Sequence, residues 1–355
     1  MSDVHLGHDK TKTEFIVENL LNAFPDNETT GELDLIWIAG DLFDRLLSFP
    51  TDSVTAISSW AYRFLTMCAK RDIVVRVLEG TPSHDWKQPK FMVEVNENAG
   101  IGADLKYLPE LCIEHIERFG INVLYVPDEW RAKNIDTWVE VQDLLKEHNL
   151  EKVDFSIMHG CFTYQIPPNI VDMFETHDAE NYLGITRYLI FIGHIHQHSQ
   201  YKRIMAAGSF DRLRHGEEED KGHIRATIEP DGNYTATFVV NSNAKRYITL
   251  DYTKQSLDDV YRQLDALVSE LPEDSHIRLQ ADTDDAVFRA GSDIKNRYKN
   301  INLSFKSNQR KQKIEPIVTR EVIKSVNLSP STILTRWKQA LIKTMLTLLN
   351  KQPRY

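Results

Sequence analysis

Apolar residues run through the first two hundred positions in short stretches, separated by segments of helical spacing. Five stretches read as buried strands: Leu33–Ala39 (LDLIWIA), Ile73–Leu78 (IVVRVL), Ile121–Val126 (INVLYV), Val153–Met158 (VDFSIM) and Tyr188–Ile192 (YLIFI). Between them lie amphipathic segments such as Val54–Ala69 (VTAISSWAYRFLTMCA). This alternation predicts an α/β domain. Near residue 246 the pattern changes. Tyr247–Tyr252 reads as a strand, and Ser256 with Asp259 three residues later forms a capping-box variant. Leu257, Val260, Tyr261, Leu264, Leu267, Val268 and Leu271 then keep helical spacing until Pro272. Ile277–Ala281, a helical stretch around Asp293–Tyr298, and Ile301–Phe305 complete a small α+β domain. Ser307–Lys313 (SNQRKQK) reads as a basic linker. Ser329-Pro330 opens a last helix, proline in its first turn, with Leu334, Trp337, Leu341, Met345 and Leu348 on one stripe. The expected organisation is therefore 1–245, 246–306 and 307–355.

Composition narrows the class. With 355 residues, 41% hydrophobic and 10% aromatic, the chain can bury more than one core and is neither disordered nor fibrous. Cys68, Cys112 and Cys161 stand in unrelated contexts, which argues against a disulfide framework and for a reducing cytoplasm. No apolar run approaches the ~18 residues of a membrane span, and MSDVHLG carries no signal-peptide core. The net charge of −10 speaks against a wholly basic nucleic-acid binder, but the charge is uneven. Residues 291–355 hold 14 Lys or Arg against three acids, net +11, leaving −21 for the rest. Such a split suggests an anionic partner for the basic end, although a solvated face would look the same.

The chemistry stands immediately after the apolar runs. LDLIWIA is followed by Gly40-Asp41-Leu42-Phe43-Asp44, and IVVRVL by Glu79-Gly80-Thr81-Pro82-Ser83-His84-Asp85. VDFSIM is followed by His159-Gly160, YLIFI by Gly193-His194-Ile195-His196, and the chain opens with Asp3-Val4-His5. Sites in open α/β sheets gather beyond the carboxyl ends of strands, and Asp and His are ligands for first-row divalent metals. Residues two apart on extended backbone lean the same way, so Asp3 with His5, and His194 with His196, can each approach a metal cluster. Glycines 40, 80 and 193 allow tight turns after their strands. Asp41 has two oxygens with which to bridge two cations. Two metals roughly 3.5–4 Å apart can clamp a phosphoryl group and activate water near neutral pH. A single histidine after a strand would mean little; five strand ends converging on Asp and His is a pattern.

This order of motifs (D-x-H, G-D-x-x-D, a G-N-H-D equivalent, a lone H, G-H-x-H) resembles the calcineurin-like metallophosphoesterase superfamily over roughly residues 1–210. The resemblance implies a four-layer α-β-β-α sandwich. It implies Asp3, His5, Asp41 and His196 around one metal, and Asp41, His159 and His194 around the second. Manganese is the first expectation, with iron, zinc or magnesium as alternatives. His84 would be the catalytic histidine, Asp85 would orient it, and Asp44 would support its turn. Two departures are visible. The G-N-H-D element carries a two-residue insertion, with Ser83 where the metal-binding Asn is usual, so a serine hydroxyl is expected to stand in as ligand. The family also places a strand before D-x-H, whereas only Met1 and Ser2 precede Asp3 here, so backbone support for Asp3 and His5 is expected to be lacking.

Asp3-Val4-His5-Leu6-Gly7 and Gly40-Asp41-Leu42-Phe43-Asp44 further resemble the SbcD nucleases and their phage relatives, as do Gly208-Ser209, Gly216-Glu217 and Lys221-Gly222. That resemblance implies a DNA exonuclease and endonuclease subunit acting in double-strand-break repair or recombination, with a capping domain that helps hold DNA. It also implies a terminal helix docked on a coiled-coil SbcC-type ATPase, and a homodimer as one assembly. Lys295, Arg297, Lys299, Lys306, Arg310, Lys311 and Lys313 are the candidate phosphate contacts. A phosphodiesterase or phosphatase for a small or protein substrate, and a scaffold with a weakened site, remain open alternatives.

Overall fold

The computed structural model describes residues 1–47, 52–229, 231–272 and 275–308. It is mixed α/β, with parallel and mixed sheets. A first sheet holds β1 (Leu35–Ala39), β2 (Val74–Leu78) and β3 (Leu105–Leu108), all parallel. A second comprises β4 (Cys112–Ile116), β5 (Ile121–Val126), β6 (Val153–His159), β7 (Thr186–Gly193), β8 (Ser199–Tyr201) and β9 (Ile204–Ala206). Their spatial order is β4-β5-β6-β7-β9-β8, parallel in the middle and antiparallel at both edges. β10 (Gly222–Ile228) and β11 (Tyr234–Val240) form a hairpin.

The five expected strands are present, and burial explains why they were legible. Every residue of β2 and β6 is buried, which favours the near-continuous apolar runs typical of central parallel strands; polar residues within them, Arg76, Asp154 and Ser156, are hydrogen-bonded to side chains. β3, β8 and β9 have only three or four residues, and β4, β10 and β11 alternate or stand partly exposed, so they carry no such run. Helices Thr13–Ala23, Asp52–Lys70 and Lys90–Asn98 share a core with the first sheet, where Ile16, Leu20, Trp60 and Phe64 gather with Ile36, Ile38, Val75 and Val77. Helices Asn134–Glu147 and Ala179–Ile185 do the same for the second, with Val141, Leu145 and Tyr182 among Leu124, Met158 and Ile190. A further cluster draws on both sheets: Ala39, Leu78 and Leu108 with Val123, Tyr125, Phe155 and Leu189.

β12 (Tyr247–Asp251), β13 (His276–Ala281) and β14 (Asn302–Ser307) make a separate three-stranded sheet. It has its own apolar cluster, including Val260, Leu264, Ile277, Leu279 and Ile294. Ser256 caps helix Leu257–Val268, accepting from the Asp259 N–H at 3.2 Å, as the spacing predicts. Met1–Lys306 form one compact unit. The terminal helix, Arg310, Lys311 and Lys313 lie outside the described residues. No helix among those described is long and apolar enough to cross a membrane.

The expected lack of support at Asp3 and His5 is not what the fold shows. The Met1 ammonium donates to the Trp37 carbonyl at 2.9 Å, and Ala39 N–H donates to Met1 O at 2.8 Å. Asp3, Val4, His5 and Leu6 then donate their N–H groups to carbonyls of Gly40, Asp41 and Leu42, while Asp44 N–H donates back to Leu6 O. Ser2 bridges in parallel to Ser209 on the other side. Val4 and Leu6 are fully buried, so the segment is anchored by packing as well. The G-D-x-x-D loop thus supplies the pairing that a preceding strand would share.

Burial also fixes several histidines neutral. Desolvation pushes His177 down to about 4 and His223 to about 3. Each has a folded pKa below its unfolded value, so its contribution is complete above pH ~6.5 and is lost as pH falls toward the folded value. Stability in EDTA is expected to drop between pH 6.5 and 4, by about 3 kcal/mol per histidine at pH 4. Urea unfolding at pH 7, 5 and 4 measures this. His223→Leu should shallow the slope; an unchanged slope would remove His223 from the account.

Candidate metal centre

The candidate ligands sit at the carboxyl ends of β1, β2, β6 and β7, brought level by register. Ala39 pairs with Leu78, and His159 with Gly193. The turn after each strand is sharp. Asp3, His5, Asp41 and His194 have φ of 51°, 55°, 50° and 99°, the left-handed region that residues with a Cβ seldom occupy. Such strain, of order 1–3 kcal/mol each, persists where the surroundings over-determine it and clusters at functional sites. Gly40 has φ +82°, as a tight turn demands. Gly80 serves another purpose. Its φ is ordinary, but a Cβ there would lie 2.1 Å from Asp41 N and 2.3 Å from Asp41 Oδ1. Only glycine lets the second loop close on the first.

Hydrogen bonds on one side of each imidazole determine what the other side offers. His159 Nδ1 lies 2.7 Å from the Ala39 carbonyl, His5 Nδ1 3.1 Å from Asp44 Oδ1, and His196 Nδ1 3.1 Å from Glu217 Oε1. Each partner is an acceptor, so each Nδ1 carries the hydrogen and each Nε2 presents a lone pair. The His5 and His196 Nε2 atoms then face each other at 3.2 Å, with Asp3 Oδ1 3.9 Å from the latter. His159 Nε2 is buried without a hydrogen bond and faces Asp41 Oδ2 at 3.3 Å. Lone pairs cannot face lone pairs at such distances without a positive charge between them. In the bare chain a proton meets that need. Burial opposes the charge on His159, but Asp41 overrides it and raises the pKa well above the ordinary value. A divalent cation meets the need better, because it serves several lone pairs at once.

Asp3, His5 and His196 form one group whose donor atoms lie within 4.8 Å of one another, and Asp41, His159 and His194 form another. A third group, His5, Asp41 and His84, links them, with Asp41 Oδ2 3.9 Å from His5 Nε2. Burial raises the Asp41 pKa, but His159, His84 and His5 more than compensate and hold the carboxyl well below its usual range. His84 Nδ1 is 2.8 Å from Asp41 Oδ2, while the side chain stays 37% exposed, so its far edge is open to a substrate. The hydrogen bond to Asp41 raises the His84 pKa against the effect of burial. These residues fit a pair of divalent cations, with imidazole and carboxylate donors of the kind first-row metals take.

Two expectations need correcting. Asp85 does not hold the His84 ring. It is buried and accepts from Phe43 N–H at 2.8 Å and Gly80 N–H at 2.7 Å, tying the two ligand loops together. Burial and the Asp41 charge push its pKa to about 8. Ser83 is exposed, turned outward by the helical turn Pro82–Asp85. Its place beside Gly80 is taken by Thr81, whose N–H donates to Asp41 Oδ1 at 2.6 Å. Asp44, expected to support its turn, accepts from His5 Nδ1 at 3.1 Å.

Sequence reasoning passed over three residues. Thr81 was signalled only by following Gly80 directly. Asp128 stands two residues past β5, where a strand-end search would have met it. Glu217 orients His196 and also accepts from Leu213 N–H at 2.9 Å, with Lys221 Nζ at 3.5 Å. Burial opposes its ionisation, but His196, Leu213 and Lys221 lower its pKa to about 2. Among the remaining histidines, His198 bonds the Ala206 carbonyl and stacks on Phe238, and His215 packs on Tyr247. Lys295, Lys299 and Lys306 are exposed; Arg297 is exposed but paired with Asp265 at 2.6 Å.

Orienting carboxylates tune a ligand's basicity and geometry. Glu217→Ala is therefore expected to weaken manganese affinity roughly 10–100-fold, read by calorimetry, with little change in the circular dichroism spectrum. Gly80→Ala should cost about 1–3 kcal/mol or more in urea unfolding, because the added methyl strikes backbone rather than a flexible side-chain tip.

No protein-family model and no curated protein sequence matches this chain. The functional reading stands on the geometry of the site.

Proposed function

We propose that the chain is a metal-dependent phosphodiesterase that cleaves DNA, a nuclease of the SbcD kind. The convergence of imidazole and carboxylate lone pairs on Asp41, with His84 at the open edge, carries this reading. The helix, sheet, sheet, helix sequence of apolar clusters supports the four-layer sandwich that the motifs imply. Asp3, His5, Asp41 and His196 would hold one cation, and Asp41, His159 and His194 the other. Such a pair, manganese by first choice, would neutralise phosphate charge and bring the pKa of attacking water toward neutrality.

The chain's own contribution is positioning and proton handling. His84 keeps one nitrogen on Asp41 and leaves the other for a phosphate oxygen or the departing sugar oxygen, to which its raised pKa lets it donate a proton. Asp85 and Gly80 keep the His84 loop closed on the Asp41 loop, so this geometry does not depend on substrate. The acidic site is unsuited to phosphate until a cation is present. Substrate preference then falls to exposed groups. Trp86, 54% exposed and two residues from His84, offers an indole face for a nucleobase. Lys295, Lys299 and Lys306 offer phosphate contacts. The expected partners beyond DNA remain an SbcC-type ATPase and a second copy of the chain.

With manganese and linear duplex DNA, the protein should release nucleotides or fragments, and Asp41→Asn should not. His84→Ala is expected to lower the rate by roughly 10²–10⁴-fold. Equal rates in His84→Ala and the parent would sink the role given to His84. Turnover of a chromogenic diester without cleavage of DNA would move the substrate to a small phosphodiester.

A further inference from the structure

We infer that Asp128 is a direct ligand of the second cation, with the Thr81 hydroxyl beside it. The inference rests on the metal reading above and extends it to residues outside the motif pattern. β5 and β6 are parallel neighbours in register, Val126 opposite Met158, so Asp128 emerges at the same sheet edge as His159. Its Oδ2 lies 3.1 Å from Thr81 Oγ1 and 3.4 Å from His194 Nδ1. Thr81 Oγ1 is in turn 3.3 Å from Asp41 Oδ2 and 3.4 Å from His194 Nδ1.

One hydroxyl therefore stands among two carboxylate oxygens and an imidazole nitrogen. It has a single hydrogen to give; Asp41 Oδ2 already has His84 Nδ1 at 2.8 Å, which leaves the Asp128 carboxylate to the hydroxyl and to His194. No Lys or Arg pairs with Asp128 among the described residues; its ion-pair partner there is His194. Its side chain is only 13% exposed, which leaves little water to compensate. The carboxylate is also aimed. Oδ1 accepts from the Glu129 N–H at 3.0 Å, which leaves Oδ2 toward Thr81. Gly160 makes room, since a Cβ there would come within 3.3 Å of Asp128 Oδ1. A further sign comes from His159. His159 Nε2, fully buried, has no hydrogen bond and faces Asp41. Asp41, His159 and His194 offer donor atoms within 4.8 Å of one another, and a cation held by them would stand beside the Asp128 carboxylate, whose Oδ2 is 3.4 Å from His194 Nδ1.

The consequence is chemical. The second site gains a charged oxygen where Ser83 would have offered a neutral one, so its cation is held more tightly.

The test is manganese binding by the full chain, followed by calorimetry and by electron paramagnetic resonance. The parent should bind two ions and give the spectrum of a spin-coupled pair. Asp128→Ala should weaken one of the two by roughly a hundredfold and leave an uncoupled signal, and Asp128→Asn, equal in shape, should weaken it by about tenfold. Ser83→Ala should match the parent. Two ions bound with parental affinity and coupling in Asp128→Asn and Asp128→Ala would overturn the ligand assignment while leaving the metal reading intact. A parent that binds no manganese would overturn both.

Discussion

Asp41 is a buried carboxylate around which two loops and several imidazoles are arranged, and its charge organises the molecule. One oxygen is fixed by the Thr81 N–H, and the other lies between His84 and His159. Buried anions are costly unless paired, so everything within reach must answer that charge. Gly80 answers it by lacking a side chain, which lets the Thr81 N–H approach. Asp85 fastens the same two loops and, surrounded by apolar matter and by Asp41, holds its own proton more firmly than a carboxyl usually does. The left-handed backbone at Asp3, His5, Asp41 and His194 belongs to the same arrangement, since four chain segments must deliver side chains to one small volume.

Support for this centre is distributed outward. The imidazoles are aimed by Ala39, Asp44 and Glu217, which come from different parts of the chain. Glu217 is itself held by Leu213 and Lys221, and Lys221, although almost fully buried, also donates to the His196 carbonyl at 2.8 Å. One lysine thus ties both the carboxylate that orients His196 and the backbone that carries it. Residues near 210–222 therefore belong to the site as fully as the motifs do.

Much of this was legible because central parallel strands are mostly apolar, so an Asp or His directly after such a run is conspicuous. That logic exposed Asp41, His159, His194 and His196, and the Ser256 cap and its helix were equally plain. It failed where the signal was indirect. Ser83 looked like the ligand because it precedes His84, yet proximity to Gly80 decides which oxygen meets Asp41, and the inserted Pro82-Ser83 turns outward. Asp128 was hidden by Pro127, which separates it from its strand. The short edge strands left no run to read, and the Met1–Leu6 pairing depends on a loop forty residues away. Orientation of a ring by Glu217 needs a fold before it can be seen at all.

The facing lone pairs of His5 and His196 have a meaning outside catalysis. A cation that binds only the folded chain stabilises it by an amount that grows with the logarithm of free metal. An unfilled centre leaves close-packed donors and strained turns with only protons to reconcile them, and cells remove proteins that open too often. The quantity of this protein that survives in a cell would then follow metal supply, so scarcity would be felt first as lower abundance and only afterwards as slower turnover.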